Sequence, residues 1–208
     1  MYHQDAFAVT EAAEIEAALE SLRFGCLVTH DAAGLFATPM PFLYDAGRRR
    51  LTGHVARASP HWERAGESDA IAVFQGPDAY ISPSWYPSKL KHGRVVPTWN
   101  YEFVQVEGRI RWNHDPEALI AHVGALSDRH EASREHPWSV NDAPADYIRG
   151  LAAGIVGLEL AIGRVEVKRK LSQNRSEADR QGVIAGLSAS ASETDRSLAA
   201  AMSRKTSL

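Results

Sequence analysis

The segment "LTGHVARASPHW", residues 51–62, carries the residues best suited to hold a charged group. A strand-like run reaches His54, and Arg57 stands shortly before Ser59 and Pro60. Serine is a favoured N-cap and proline suits the first helical position, so a helix is expected to begin there. Backbone N–H groups at a helix start, with a guanidinium beside them, favour an anion such as a phosphate. The alternative is structural: Ser59 only caps the helix, Arg57 pairs with a surface carboxylate, and His54 packs in the core or at its rim.

A second segment, residues 76–108, places aromatic rings beside cations. The rings are Tyr80, Trp85, Tyr86, Trp99, Tyr101 and Phe103, and the cations are Lys89, Lys91 and Arg94. Aromatic faces close to positive charge suit a flat conjugated ligand with a charged tail. The alternative is a β-barrel core that carries a basic loop.

A third segment, "VEVKRKLSQNR" at residues 165–175, concentrates positive charge. Its cations are Lys168, Arg169, Lys170 and Arg175, and the amides of Gln173 and Asn174 offer both donors and acceptors. A solvated strand end is one alternative. A nucleic-acid contact patch is another, although a single short basic run is weak evidence for it.

Motifs that define several other functions are absent from the sequence. There is no G-x-G-x-x-G or G-x-x-x-x-G-K, so the common dinucleotide and triphosphate loops are not expected. The nine histidines show no H-x-x-x-H or H-E-x-x-H spacing and there is one cysteine, so no metal site is predicted. The absence of G-x-S-x-G argues against an α/β-hydrolase serine.

Composition describes an ordinary globular chain of 208 residues with 44% hydrophobic residues and a net charge of -3. That charge gives no general attraction to DNA, so nucleic-acid binding would need a local basic patch. No apolar run is long enough to span a membrane, and the first residues lack the basic-then-apolar order of a secretory signal. We therefore expect a cytoplasmic protein with no membrane partner.

The elements that would position these segments are mostly strands. Strands are predicted at residues 24–30, 35–44, 50–56, 69–76, 79–85, 98–112 and 155–171, and helices at about 11–22, 59–67, 115–131, 143–154 and 176–187. Pro39 and Pro41 both lack an N–H on the same side of their strand, which indicates an edge strand or a backbone left open for another contact. Short hairpin turns with late helices favour a closed or split antiparallel barrel over a doubly wound sheet. We expect one domain over 1–187, with a helical insertion at about 115–152, and a flexible tail over 188–208.

Several long motifs together resemble those of one family. They are "MYHQDAF", "GHVARASPHW", "FQGPDAYISPSWYP", "VPTWNYEFVQVEG" and "KRKLSQNR" followed by "DRQGVIAGL". Over about residues 1–187 the chain resembles the PaiB-like family, the FMN-binding negative transcriptional regulators. Two positions depart from that family's pattern. Met40 in "ATPMPF" stands where a histidine is usual and removes a polar contact, whereas Ser59 replaces the usual asparagine and keeps the capping role.

The resemblance implies a mainly β fold: a split antiparallel β-barrel of the pyridoxamine-phosphate-oxidase or FMN-binding type, with peripheral helices. It also implies a homodimer with FMN at the interface. The segment that contains His54 would lie at the FMN phosphate, with Arg57 pairing with that phosphate and Ser59 donating to it. The other implied cofactor contacts are Lys89 as a second phosphate candidate, Trp99 and Asn100 near the ring system, and Lys170, Gln173 and Asn174 from the last strand of the same or the partner subunit.

Four functions stay open at this level. The first is a flavin-binding transcriptional regulator or sensor, and the second is a flavin-dependent oxidoreductase, in which the flavin supplies the redox chemistry. The third is a haem-binding barrel with His54, His92 or His130 as axial ligand. The fourth is a dimer that binds no cofactor and acts through protein contacts. Direct DNA binding has weak support, because no segment has the pattern of a helix-turn-helix.

Overall fold

The computed structural model describes residues 1, 2 and 4–204, and these form eight strands and seven α-helices. His3 of the first motif and residues 205–208 of the expected tail lie outside the described residues. The strands are β1 (Ala8–Val9), β2 (Phe24–Asp31), β3 (Gly34–Pro41), β4 (Leu43–Asp45), β5 (Arg50–Ala56), β6 (Asp69–Ile81), β7 (Thr98–Asn113) and β8 (Ile155–Lys170). The helices are α1 (Ala12–Ser21), α2 (His61–Ala65), α3 (Ser88–His92), α4 (Pro116–Glu131), α5 (Ala145–Ala152), α6 (Glu177–Ser188) and α7 (Glu193–Ser203). Within the described part of the chain, no helix is both long and apolar enough to cross a membrane.

All eight strands belong to one sheet, which is mostly antiparallel as predicted. The strand order is β3-β2-β6-β7-β8-β5-β4, and β1 pairs with β8 outside this path. The strands β2 and β3 form a hairpin that turns at Gly34, whose φ of 109° suits glycine. The proline-bearing strand β3 lies at one end of the order, which confirms the predicted edge position.

The chain separates into two compact units, neither of them continuous in sequence. The first consists of Met1–Glu16, Gln75–Val104 and Glu166–Leu208, and the second of Ala17–Phe74 and Gln105–Val165. Strands β6, β7 and β8 each contribute residues to both units.

The core of the second unit is built from inward-facing strand residues. Its fully buried side chains include Leu27, Leu51, Ile110 and Leu160 of the strands, and Phe42 between β3 and β4. Close packing explains the departure at Met40, because a Cβ on Gly53 would lie 2.5 Å from the Met40 Cε. The buried methionine of β3 thus fills the space beside this glycine of β5, although the two strands are not paired in the sheet, and it acts as a core residue.

The core of the first unit forms where α6 and α7 pack on the end of the sheet. The buried residues are Ala79, Ile81, Tyr86, Leu171, Val183, Leu187, Leu198, Ala199 and Met202. Two glycines of α6 let the helix approach Trp85: a Cβ on Gly182 would lie 2.0 Å from the Trp85 carbonyl oxygen, and one on Gly186 would lie 2.4 Å from its ring. Glycine is therefore required at both positions by close approach rather than by backbone conformation.

Several predicted elements differ from the structure. The strand expected at 35–44 is divided into β3 and β4, and the helix expected at 59–67 is limited to α2. The strands expected at 69–76 and 79–85 are joined in β6, which ends at Ile81, because Gly76 allows close approach to Glu102 of β7 and does not form a turn. Pro83–Trp85 form a 3-10 helix instead of strand. The prediction of a flexible tail is wrong for residues 193–203, which form α7. Ser192 caps this helix, and the buried Leu198 and Met202 stand one helical turn apart.

Candidate functional site

Arg57 follows the end of β5 and is bonded to three consecutive carbonyl groups. Its backbone N–H donates to the Gly154 oxygen at 2.8 Å, Nε donates to the Ala153 oxygen at 2.7 Å, and Nη2 donates to the Ile155 oxygen at 2.9 Å. Its Nη1 lies 3.4 Å from His114 Nδ1. The side chain is exposed, and these side-chain contacts use three of the five guanidinium N–H groups. Arg57 is thus held in place by backbone oxygens and not by the surface carboxylate considered from the sequence.

Ser59 and Pro60 precede the short helix α2. The Ser59 hydroxyl accepts a hydrogen bond from the His61 backbone N–H at 3.3 Å, and Pro60 takes the N-cap position. Gly66, at a φ of 51°, ends the helix after five residues. A helix this short has little macrodipole, so the helix-dipole part of the anion argument is not supported. The remaining argument rests on Arg57 and the Ser59 side chain.

His54 forms a pair with His122 of α4, a residue that the sequence analysis did not select. His54 Nδ1 lies 3.2 Å from His122 Nε2, and the rings meet edge to face. Burial lowers the pKa of both imidazoles, that of His122 to about 4 with a further contribution from the neighbouring His54. Both rings are therefore neutral at pH 7, and His54 brings a hydrogen-bonding group rather than a positive charge. The only sequence signal for His122 is a polar residue within the apolar run "ALIAHVGAL".

His61 is the other histidine held inside the second unit. It is fully buried, with Thr29 Oγ1 2.9 Å from Nε2 and Thr38 Oγ1 2.7 Å from Nδ1. Both ring nitrogens have partners, so His61 joins α2 to the sheet. In contrast, the haem-ligand candidates His92 and His130 are exposed. In residues 1, 2 and 4–204, no group of three or more His, Cys, Asp or Glu side chains could hold a metal ion.

The basic run near the end of β8 is embedded in the first unit. Lys168 is only 8% exposed, donates to the Tyr2 oxygen at 3.1 Å, and lies over the rings of Tyr2 and Tyr101. Lys170 Nζ donates to Thr98 Oγ1 at 2.6 Å. Burial, with the charges of Lys168 and Arg175, lowers the pKa of Lys170. This excess of positive charge fits an anionic group such as the FMN phosphate.

Asn100 lies in the core of the first unit and not at its surface. Its Nδ2 donates to the Ser172 hydroxyl at 2.8 Å and contacts the Met202 sulfur of α7 at 3.6 Å. Its Oδ1 is buried and has no hydrogen-bond partner among the described residues. An amide oxygen in this state suits an N–H donor, but Met202 covers the residue. The role of Asn100 near a flavin ring stays a prediction.

The other predicted contacts of the first unit lie on its surface. Trp99 is 53% exposed and meets the exposed Tyr80 edge to face, which suits a planar ligand. Lys89 is exposed on α3 and donates to the Ser84 hydroxyl at 3.2 Å. The Gln173 amide is used within its own turn, because Oε1 accepts from the Leu171 N–H and Nε2 donates to the Arg169 oxygen. The side chain of Asn174 is exposed.

The predicted residues therefore form two groups. His54, Arg57 and Ser59 belong to the second unit, and Lys89, Trp99, Asn100, Lys170, Gln173 and Asn174 belong to the first. The chemistry of each group suits part of an FMN molecule: Arg57 and the Ser59 hydroxyl suit the phosphate, and the exposed ring of Trp99 suits the isoalloxazine. The chemistry of the donor set fits FMN, while the assignment of each residue to the cofactor stays a prediction.

Comparison with known proteins agrees with this chemistry. A family model described as "Putative FMN-binding domain" matches residues 1–164. The chain is 33% identical over 188 residues to the "Protease synthase and sporulation protein PAI 2" of Bacillus subtilis. The aligned region covers 88% of this chain and 87% of the relative.

Solved structures confirm the predicted fold class. The FAD and heme binding protein from Mycobacterium smegmatis has a TM-score of 0.56 and 16% identity, covering 86% of this chain and 80% of that protein. The flavocytochrome Anf3 from Azotobacter vinelandii has a TM-score of 0.58 and 16% identity, covering 84% and 74%. The fold is that of the split-barrel flavin-binding proteins. By the family match and the relative, the chain belongs to the PaiB-like family of FMN-binding domain proteins.

Proposed function

We propose that this protein is an FMN-binding regulator, a sensor whose flavin state controls an effect on gene expression. The observation that carries the proposal is the match to the PAI 2 protein along nearly the whole of both chains, together with the FMN-binding family model. The name of that relative refers to protease synthesis and sporulation. We further propose that the protein acts in the cytoplasm.

FMN would be held through its two chemically distinct ends. Arg57 would pair with the phosphate through its remaining N–H groups, and the Ser59 hydroxyl would donate to it. Trp99 and Lys170 belong to the other compact unit, and their assignment to the flavin ring and phosphate rests on the family resemblance alone. When bound, the flavin supplies the redox chemistry, and the chain binds and orients it.

The regulatory effect is proposed to pass through a ligand or protein signal rather than through direct DNA contact. The basic run 168–170 is engaged within the chain. Lys168 is buried, Lys170 is bonded to Thr98, and Arg169 pairs with Glu14 at 2.5 Å and with Glu102 at 3.2 Å. The burial of Lys168 and the two ion pairs of Arg169 make these residues poor contacts for a DNA phosphate backbone, and Lys170 alone is a small basic surface. An anisotropy titration with duplex DNA at low salt tests this, and tight, salt-sensitive binding would contradict it.

A flavin-dependent oxidoreductase is the second candidate, favoured by the neutral His54–His122 pair. A proton that one of these neutral imidazoles takes up from a bound substrate can move along the hydrogen bond to the other ring, so the pair can relay a proton that flavin redox chemistry releases. Rapid loss of flavin colour on adding a nicotinamide donor, followed by turnover of an acceptor, would favour this function over the sensor.

The decisive experiment is an absorption spectrum of freshly purified protein, with a mass spectrum of the ligand released from it. Flavin absorption bands and the mass of FMN are expected. A haem Soret band would overturn the proposal in favour of the haem-binding alternative. A protein that purifies empty and takes up no added FMN would leave only the fourth function, a dimer that acts through protein contacts.

The protein is proposed to work as a homodimer that uses a groove on the sheet of the second unit. This groove of about 720 Å³ has an apolar floor that includes Val28, Ile71 and Ile162, and Leu35 beside it is 74% exposed. Charges of both signs, Asp69, Glu107, Arg109 and Arg164, also line it. A surface with an apolar centre and both charge signs can complement a second copy of itself.

A further inference from the structure

The second unit contains a cavity that shares no lining residue with the proposed flavin contacts. It lies between helix α4 and strands β4, β5 and β8, and its volume is about 740 Å³. Pockets of this size hold small organic molecules. Its apolar walls come from Leu43, Leu119 and Leu158, with Ala118, Ala121 and Ala125 along one side of α4. The cavity is therefore large and apolar enough for a ligand with a hydrocarbon body.

Two arginines at this cavity converge on the end of helix α1. Arg23 Nη1 donates to the Glu20 oxygen at 3.0 Å and to the Leu22 oxygen at 2.9 Å. Arg129 Nη2 also donates to the Glu20 oxygen. Two guanidinium groups that share one carbonyl oxygen must lie close together, and their charges repel. Among the described residues, both guanidinium groups donate hydrogen bonds to carbonyl oxygens, and neither donates to a carboxylate.

The other charges that line the cavity already have partners. Arg50 donates to Asp45 at 3.1 Å and pairs with Glu159 at 2.6 Å, and Arg48 lies 3.9 Å from Asp45. This network accounts for two of the three acidic residues of the lining. The third, Glu20, is an exposed side chain at the rim. Positive charge without a carboxylate partner is thus concentrated at Arg23 and Arg129.

The lining of the cavity also includes neutral hydrogen-bonding groups. Asn113 and His122 both line the cavity, and His122 is bonded to His54 behind it. These groups suit a hydroxyl or carbonyl group on a ligand.

We propose that this cavity binds a small organic anion, whose carboxylate lies between Arg23 and Arg129 and whose apolar body packs against Leu43, Leu119 and Leu158. The anion supplies the countercharge that the paired guanidinium groups lack, and its apolar part fills the space under α4. A role of this ligand as the effector of a sensor rests on the proposed function, whereas its binding to the cavity does not. The site does not depend on the proposed flavin contacts.

Isothermal titration of the full chain, with whatever cofactor it carries, tests the proposal. The probes are 4-phenylbutyrate and 4-phenylbutan-1-ol, which differ in the charged group alone. The carboxylate is expected to bind at least about tenfold more tightly than the alcohol, because a charge-assisted hydrogen bond is lost with the alcohol. Equal binding of the two probes, or no binding of 4-phenylbutyrate at millimolar concentration, would overturn the proposal.

Three variants localise the binding. Arg129→Gln is expected to remove the advantage of the carboxylate, and Ala125→Trp, which places a large ring in the cavity one helical turn from Arg129, to weaken both probes. Arg149→Gln, on the exposed side of α5, is the matched control and should change neither affinity. Unchanged 4-phenylbutyrate binding in both Arg129→Gln and Ala125→Trp would place the ligand elsewhere. Flavin content, measured in every sample, reports separately on the proposed function.

Discussion

The histidines held inside the second unit occupy two kinds of environment. His61 is buried between two threonine hydroxyls and links a short helix to the sheet, whereas His54 and His122 are bonded to each other beside a cavity. From the sequence alone, His54 was the more informative of these because it stands near Arg57. Its true partner was out of reach, since the pairing joins residues 68 positions apart.

The buried imidazoles predict how stability depends on pH. The pKa of His122 is about 4 in the folded protein and 6.5 when unperturbed. Between these values the unfolded chain binds more protons, so the free energy of unfolding should fall as the pH falls from about 6.5 towards about 4. Urea denaturation at several pH values should show a weaker fall for His122→Gln. An unchanged slope in this variant, or the same change in the exposed His136→Gln control, would contradict the assignment.

Arg57 predicts the strength of flavin retention. Replacing it with alanine removes a charge-assisted pair with the phosphate, worth about 1.5–3 kcal/mol, so FMN should bind at least about tenfold more weakly. FMN titration of the wild type, of Arg57→Ala and of the exposed control Arg149→Ala measures this. Because Arg57 also bonds to carbonyl oxygens, urea denaturation without flavin must accompany the titration. Equal FMN affinity in Arg57→Ala and the wild type would remove the phosphate assignment.

At the scale of elements, most strands and helices were predictable from periodicity and turn residues. Strand β5 runs over the predicted residues 50–56, and helix α4 differs from its prediction by one residue at its start. Two of the failures share a cause. Gly76 and the Ala- and Ser-rich C-terminal segment carry local signals for a turn and for disorder, and tertiary packing against Glu102 and the first-unit core overrides them.

The contact between α6 and Trp85 predicts that a glycine-to-alanine substitution lowers the stability of the protein, although helix propensity alone would predict an increase. Alanine normally stabilises a helix relative to glycine by about 1 kcal/mol. At Gly186 the new Cβ would lie 2.4 Å from the Trp85 ring, so Gly186→Ala should instead destabilise the protein by about 1–3 kcal/mol through overpacking. Thermal or urea unfolding measures the effect.

The matched control lies on α5. Nothing approaches the position of a Cβ on Gly150 within 4 Å, so Gly150→Ala should stabilise the protein by about 0.5–1 kcal/mol. If Gly186→Ala is as stable as Gly150→Ala, α6 does not pack on Trp85 as described.

At the scale of the whole molecule, the fold class and the cofactor family were accessible from long motifs, while the geometry of the site was not. The motif residues Asn100 and Gln173 illustrate the reason. Each stands in a long, specific run, yet the Asn100 amide is bonded inside the core and the Gln173 amide closes its own turn. A motif identifies residues that a family requires, but it does not separate those that build the fold from those that contact a ligand.

The proposed dimer predicts how a substitution in the groove changes the oligomeric state. Leu35→Glu places a charge on the exposed apolar groove of the sheet and should shift the mass in solution from dimer to monomer, with loss of FMN. Light scattering after size exclusion measures the mass, and Leu90→Glu, on the 92% exposed Leu90 of α3, is the matched control. A wild type that is monomeric and retains FMN, or a Leu35→Glu dimer, would contradict this interface.

The three bonds from Arg57 to the carbonyl groups of residues 153, 154 and 155 have a practical consequence. Any anion that pairs with this guanidinium group therefore also restrains the backbone at the junction between α5 and β8. Hydrogen–deuterium exchange of the amides around that junction should therefore slow on loading. Occupancy of the site can in this way be followed with colourless phosphate-bearing fragments, independently of the optical signal of a flavin.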